Sequence, residues 1–479
     1  MPGCNILGPH SRADEDVAAI SRIPPHVPIP DHAPSRPMRD LAVTLIVFGS
    51  LPFILKRPYI GILMWVWISV MNPHRESWGF ATTFPFAAVI AATTLLSLVL
   101  TKDRKDFPVT PVTLVLIGFI IWMNVSTVFA IHPDQVYGNW NRVIKIMLMT
   151  IVTLMLIKTR RHIELFIAVL VFSLGFFGVK GGIFTVMSGG QFRVWGPADT
   201  FIGGNNEIAL ALIMVIPLMH YLQIMTDKKW IRHGLTVAML LCAFAALGSY
   251  SRGALLAIAA MAGFLWLKSS KKLILGILMV ISIPVLVAFM PDQWTERMDT
   301  ISTYKEDSSA MGRINAWWMA YNLAKDRPLV GGGFEIYDLE VFGKYAPIPT
   351  DVHAAHSIYF QALGEHGFVG LGLYLLLGFL TWRCGSWIVR NTKKREDLKW
   401  AYHLAAMVQV SLIGFAVGGA FLSLLYFDVP YYLMAAMVIT RRIIEEQLKS
   451  EAQLGRSNAG DIARSNAQAL APAASRFLG

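Results

Sequence analysis

Apolar runs recur along this chain from Leu41 to Thr440. Many approach the ~20 residues that a helix needs to cross a hydrocarbon core. They lie at 84–100, 110–130, 142–157, 163–185, 206–225, 234–250, 253–268, 272–290, 366–383, 402–425 and 428–440. A further stretch, 41–71, is interrupted at Lys56-Arg57-Pro58. In lipid the backbone must satisfy its own polar groups, which leaves helices or closed barrels. A barrel strand alternates apolar and polar residues, whereas these runs are continuous. Of the 479 residues 15% are charged, against about 25% in soluble domains. The expected fold is an all-α polytopic membrane protein with about 12 transmembrane helices.

The net charge of +11 does not call for nucleic acid, because the basic residues gather in short loops. Lys102, Arg104 and Lys105 form one group, and Lys158, Arg160 and Arg161 the next. Lys228, Lys229 and Arg232 follow, then Lys268, Lys271 and Lys272. Arg390, Lys393, Lys394, Arg395 and Lys399 precede a closing pair, Arg441-Arg442. Every second loop is basic, so these loops belong in the cytoplasm. The intervening loops 131–141, 186–205, 250–252, 291–365 and 426–428 are then outside. Parity favours both ends inside, with 41–71 as one interrupted element.

Residues 1–37 are Pro-rich and polar, lack an apolar signal segment, and read as a disordered tail. Met38 is an alternative start. Residues 38–445 form the transmembrane domain, and 446–479 read as a loose cytoplasmic tail. Within the large outer loop 291–365, Met311 to Lys325 carries apolar residues at helical spacing. Pro328 and Gly331-Gly332-Gly333 stop that helix. The three cysteines, Cys4, Cys242 and Cys384, show neither a disulfide framework nor zinc spacing.

Charged side chains in or beside spans are costly and mark candidate sites. Arg252 lies in Gly248-Ser-Tyr-Ser-Arg-Gly253, a turn too short to be a solvated loop. The helix that follows points its N-terminal N–H groups outward, which favours phosphate. Arg193 lies in the Gly-bounded loop Gly189-Gly-Gln-Phe-Arg-Val-Trp-Gly196. His356, with His353 as competitor, precedes an apolar run, and an imidazole titrates in the right range for a base. Topology places all of them on one side. Arg142, Lys145 and Lys180 are cations near the outer ends of spans and could guide a diphosphate inward. Each of these arginines and lysines also has a plain alternative, a stem in lipid and a head at the interface. The carboxylates Asp292, Glu296, Asp299, Glu306 and Asp307 read as a solvated face. No nucleotide-binding loop or nucleophile elbow occurs, and neither cofactor nor metal is expected.

From about residue 190 to 425 the chain resembles the O-antigen ligase/polymerase superfamily. The resemblance rests on Gly203-Gly-Asn-Asn-Glu207, Ser251-Arg-Gly-Ala-Leu-Leu256, Gly312-Arg313 with Trp317, and Pro328-Leu-Val-Gly-Gly-Gly333. It rests also on His356-Ser-Ile-Tyr359 with Glu365 and Gly367. The part from Met38 to about 160 looks like the variant described as an O-glycosylation ligase. The resemblance implies a C-type glycosyltransferase-like fold and an undecaprenyl diphosphate-linked glycan donor used at a periplasmic active site. It implies that Arg193 and Arg252 bind the diphosphate and that His356 is essential, with Tyr359 and Arg313 as further candidates. The usual Asn after the histidine is Ser357 here. The expected reaction is inverting and metal-independent: His356 deprotonates an acceptor sugar hydroxyl, and the arginines stabilise the departing diphosphate. The expected acceptor is lipid A–core, in a setting of membrane lipids and without nucleic acid. A polymerase, a protein O-oligosaccharyltransferase and a lipid-linked sugar transporter are the alternatives. A transporter would carry its polar groups near the bilayer midplane.

Overall fold

The computed structural model describes residues 37–101, 106–268, 272–273, 276–277, 280–281, 289–299 and 307–474. The expected N-terminal tail, the basic residues at 102–105 and most of the expected span 272–290 lie outside them. Among the described residues the chain is helical and contains no strand. Seven helices are long and apolar enough to cross a membrane, and three shorter apolar helices accompany them. The protein is an all-α polytopic membrane protein.

The helices are α1 (Pro37–Lys56), α2 (Tyr59–Val66), α3 (Phe86–Leu100), α4 (Pro111–Val128) and α5 (Tyr137–Leu156). Then come α6 (Arg160–Met187), α7 (Asn205–Met225), α8 (Lys229–Leu247), α9 (Arg252–Lys268) and α10 (Asp292–Asp299). The chain closes with α11 (Ser308–Asp326), α12 (Leu339–Tyr345), α13 (Ile358–Thr392), α14 (Lys399–Gly418) and α15 (Asp428–Ala474). Helix α7 lies at the centre, packed by α6, α8, α9 and α14. Helices α6 and α8 approach closely because Gly178 and Gly182 share one face. A Cβ at Gly182 would collide with the Leu241 carbonyl, and one at Gly178 with Cys242. Small residues four apart let helix backbones meet in this way.

The stretch 41–71 departs from expectation. Helix α1 ends at Lys56, Pro58 blocks its continuation, and α2 runs back beside it into a π-helical turn, Trp67–Met71. Arg39 donates to the Glu76 carbonyl at 3.0 Å, and Asp40 accepts from the Ala81 N–H at 3.1 Å. The start of α1 therefore meets the segment just beyond α2, and the pair is an antiparallel hairpin rather than one interrupted span. Glu76 pairs with Lys180 and Arg75 with Asp199, which places this end on the face that carries the 186–205 loop. The turn Lys56-Arg57-Pro58 then joins the opposite, basic face, where the Tyr59 ring stacks on His162 at 4.0 Å. The two ends of the helical bundle consequently lie on opposite faces, not on the same one.

The loose tail expected from 446 is also corrected, because α15 continues to Ala474. Arg441 and Arg442 pair with Glu445 and Glu446 one turn on, and Arg395 holds Glu451 at 2.7 Å. Such i,i+4 pairs and the many alanines of 446–474 favour helix over coil.

The region 307–357 forms a cap on the face opposite the basic loops. Its main helix, α11, covers the span expected from Met311 to Lys325, and Asp307 caps it by accepting from the Ala310 N–H. The glycine run after α11 locks onto α13. Gly367 has φ +69 and breaks α13, leaving carbonyls without helical partners. The Gly332 and Gly333 N–H groups donate to the Gly364 and Glu365 carbonyls at 2.8 and 2.9 Å. The two motifs far apart in sequence are thus one interlocked joint.

Candidate functional site

The turn between α8 and α9 gathers the site. Tyr250 takes φ +60 and is buried, and its hydroxyl donates to the Gly190 carbonyl at 2.7 Å. The Val194 N–H donates to the Gly248 carbonyl at 3.0 Å, and the Asn205 amide donates to the Ser249 carbonyl at 2.7 Å. The 189–196 loop and the start of α7 are therefore fastened to this turn. Arg193 lies with its guanidinium 5.6 Å from the Tyr250 ring centre. Arg297, on α10, donates from Nε to the Tyr250 carbonyl at 3.1 Å.

Arg252 opens α9 and pairs with Asp307; their side chains are 17% and 15% exposed. Burial works against the Asp307 carboxylate, but the Arg252 hydrogen bond and the Ala310 N–H outweigh it and lower its pKa. Asp307 is therefore no part of a solvated face, as its sequence context suggested. Arg313, two turns into α11, feels the charges of Arg252, Asp307 and Glu207, and its Nε is buried without a hydrogen-bond partner among the described residues. Burial, then Arg193, Arg252 and Arg313, push the Arg297 pKa down. Among the described residues four guanidiniums, Arg193, Arg252, Arg297 and Arg313, thus gather around Asp307 and Glu207.

His356 sits at the edge of this cluster. Its backbone is left-handed, φ +41, a conformation that must be imposed by its surroundings. Two bonds impose it: the His356 N–H donates to Ser423 Oγ at 2.9 Å, and Trp317 Nε1 donates to the Ala355 carbonyl at 2.7 Å. Ser357, standing where the resemblance has Asn, caps α13. The imidazole Nδ1 is buried and has no hydrogen-bond partner among the described residues. Burial, then the charges of Arg313 and His353, lower the His356 pKa to about 4. The imidazole is neutral at physiological pH and can accept a proton. His353 is tied to Asp351 at 2.8 Å.

A cavity of about 380 Å³ adjoins the histidine and shares Ser423 and Glu207 with its surroundings. Arg142 lines it with its guanidinium 3.7 Å from the Phe201 ring centre. Gln361 and Glu365 line the floor. Behind them Ser126, His366, Tyr426 and Glu365 form a buried hydrogen-bonded chain. Both ring nitrogens of His366 are committed there, so its role is to hold the floor.

Of the residues singled out by sequence, the structure brings Arg193, Arg252, Arg313, His353 and His356 together, with Arg142 in the adjoining cavity. Lys145 is exposed and lines none of that cavity. Lys180 is paired with Glu76 at 3.2 Å. Tyr359 turns away, donating to the Ala416 carbonyl at 2.8 Å beside an apolar groove between α13, α14 and α15. Arg297, Asp307, Glu207 and Ser423 had not been assigned to the site. Only Asp307 carried a legible signal, the Asp-Ser-Ser-Ala start of a helix.

Residues 237–375 match the family model described as O-antigen ligase. Residues 38–227 match a family of unknown function, DUF5935. A comparison with curated proteins finds no match.

Proposed function

From the O-antigen ligase family to which residues 237–375 assign this chain, we propose that it is an O-antigen ligase. The family supports a glycosyltransferase-like enzyme handling lipid-linked glycans. In the proposed reaction a glycan passes from undecaprenyl diphosphate to a sugar hydroxyl of lipid A–core. The observation that carries it is a neutral histidine beside four clustered arginines. His356 accepts the proton of the attacking hydroxyl as it bonds to the anomeric carbon. The bond to the donor diphosphate breaks, and Arg193, Arg252 and Arg313 stabilise the charge on the leaving group. Guanidinium suits this task because its charge is permanent and its fork matches phosphate oxygens. Attack opposite the leaving group inverts the anomeric centre, and neither a metal nor a cofactor is invoked.

The site face is read as periplasmic. Arg160, Arg161, Lys228, Lys229, Arg390 and Lys393 all lie at helix ends on the other face, as cytoplasmic residues of an inner membrane protein should. Arg142 extends the cationic surface for the incoming diphosphate. The test is transfer by purified protein from a lipid-linked glycan to lipid A–core. Product that requires only donor and acceptor supports the ligase. Chain growth on the donor alone would instead make it a polymerase, and glycan on a protein acceptor would make it an O-oligosaccharyltransferase. Movement of donor between leaflets without a new glycosidic bond would make it a transporter.

A further inference from the structure

A second cationic pocket lies at the basic end of the bundle, separated from His356 by the length of α13. The segment entering α4, the lower part of α13 and the middle of α15 enclose about 500 Å³. Arg383, Arg441 and Arg442 line it with one carboxylate, Glu445, and so do Leu380 and Val438. Arg441 is engaged by Glu445 at 2.7 Å and lies over the Trp387 ring. Arg442 is engaged by Glu446 and by the Asp106 carbonyl. Arg383 differs. It lies nine residues before the end of α13 at Thr392, about 13 Å along the axis. Among the described residues no carboxylate pairs with it. The start of α4, capped by Thr110, borders the same space with its positive end.

Arg383 closes the apolar run 366–383, so its exposed guanidinium, over the Phe379 ring at 5.8 Å, lies at the boundary of the bilayer on the basic face, where lipid headgroups sit. Three arginines above apolar walls match a phosphodiester above acyl chains, and basic pockets between helices on this side suit lipid headgroups. We propose that this pocket binds the headgroup phosphate of an anionic phospholipid, with Arg383 as its principal contact and the acyl chains along Leu380 and the exposed Phe379.

The test uses the full-length protein purified in detergent. Phosphatidylglycerol, cardiolipin, phosphatidylethanolamine or inorganic phosphate is added, and retained lipid is read by native mass spectrometry beside the melting temperature. The anionic lipids are expected to be retained and to raise the melting temperature, and inorganic phosphate to do neither. Arg383→Gln is expected to lower retention about tenfold, the loss of a charge-assisted hydrogen bond, while Lys393→Gln leaves it unchanged. Arg442→Gln provides a second reading if Arg383→Gln does not fold. Equal retention of phosphatidylethanolamine would overturn the proposal, as would wild-type retention in both arginine variants. Equal stabilisation by inorganic phosphate would reassign the pocket to free anions.

Discussion

Asp307 both caps α11 and pairs with Arg252 at the first turn of α9. One carboxylate thereby fixes the cap helix to the arginine that opens the facing span. Asp307→Asn keeps a capping oxygen but gives up the ion pair. Its melting temperature is expected to stay close to wild type, while kcat for glycan transfer falls about tenfold or more as Arg252 loses its position. The KM for donor should not rise, since an anion that competes with the substrate has gone. Asp307→Ala loses the cap as well, about 1 kcal/mol of stability. Steady-state kinetics beside thermal melts separate the two effects, and an Asp307→Asn enzyme of wild-type kcat would refute the clamp.

His356 titrates at about 4 instead of 6.5, burial being the main cause. The imidazole is the base in its neutral form, so transfer is expected to stay level from pH 8 down to about 5 and to fall only below that. The same shift has a stability consequence. The unfolded chain binds the proton first between about 6.5 and 4, so stability is lost as pH falls through that window. His356→Ala should lose about 10²- to 10⁴-fold in rate at neutral pH. A rate profile with its acid limb at 6.5 would show that His356 is not the titrating base.

Arg313 lies where its charge is felt at both Arg252 and His356. Removing it should let the imidazole hold its proton more readily. In Arg313→Gln the acid limb of the rate profile is expected to move upward, toward 6.5 without reaching it, because burial remains. Labelled-histidine NMR titration provides an independent reading. An unmoved limb would mean that Arg313 does not face the imidazole.

Gly367 has φ +69, and a Cβ there would meet the backbone carbonyls of Pro328 and Leu329. Gly367→Ala is expected to destabilise by about 1–3 kcal/mol from the backbone alone, because φ +69 with ψ −170 is a region that essentially only glycine adopts. Gly372→Ala in the same helix meets nothing within 4 Å and should be neutral. Equal melting temperatures for the two variants would rule out the joint between Gly331–Gly333 and α13.

The membrane class was legible because each apolar run carries its own signal, and the cap helix because Ile314, Trp317, Trp318, Tyr321 and Leu323 recur close to helical spacing. The shared side of Arg193, Arg252 and His356 followed from counting helices between them. That count tolerated the error at 41–71, since one helix too few upstream changes the face on which α1 begins but not how the later loops relate. Other features could not be read from the chain. Arg252 meets Asp307 across 55 residues, and Ser423 meets His356 across 67. Lys145 and Lys180 look like Arg142 in sequence, yet Lys145 lines none of the cavity that Arg142 lines and Lys180 is spent on Glu76. Sequence spacing determines the face of a single helix, and so it could name the side of the membrane and the kinds of residue there. Which charges neutralise one another, and which remain for a substrate, depends on distances between helices, and only the tertiary packing decides those.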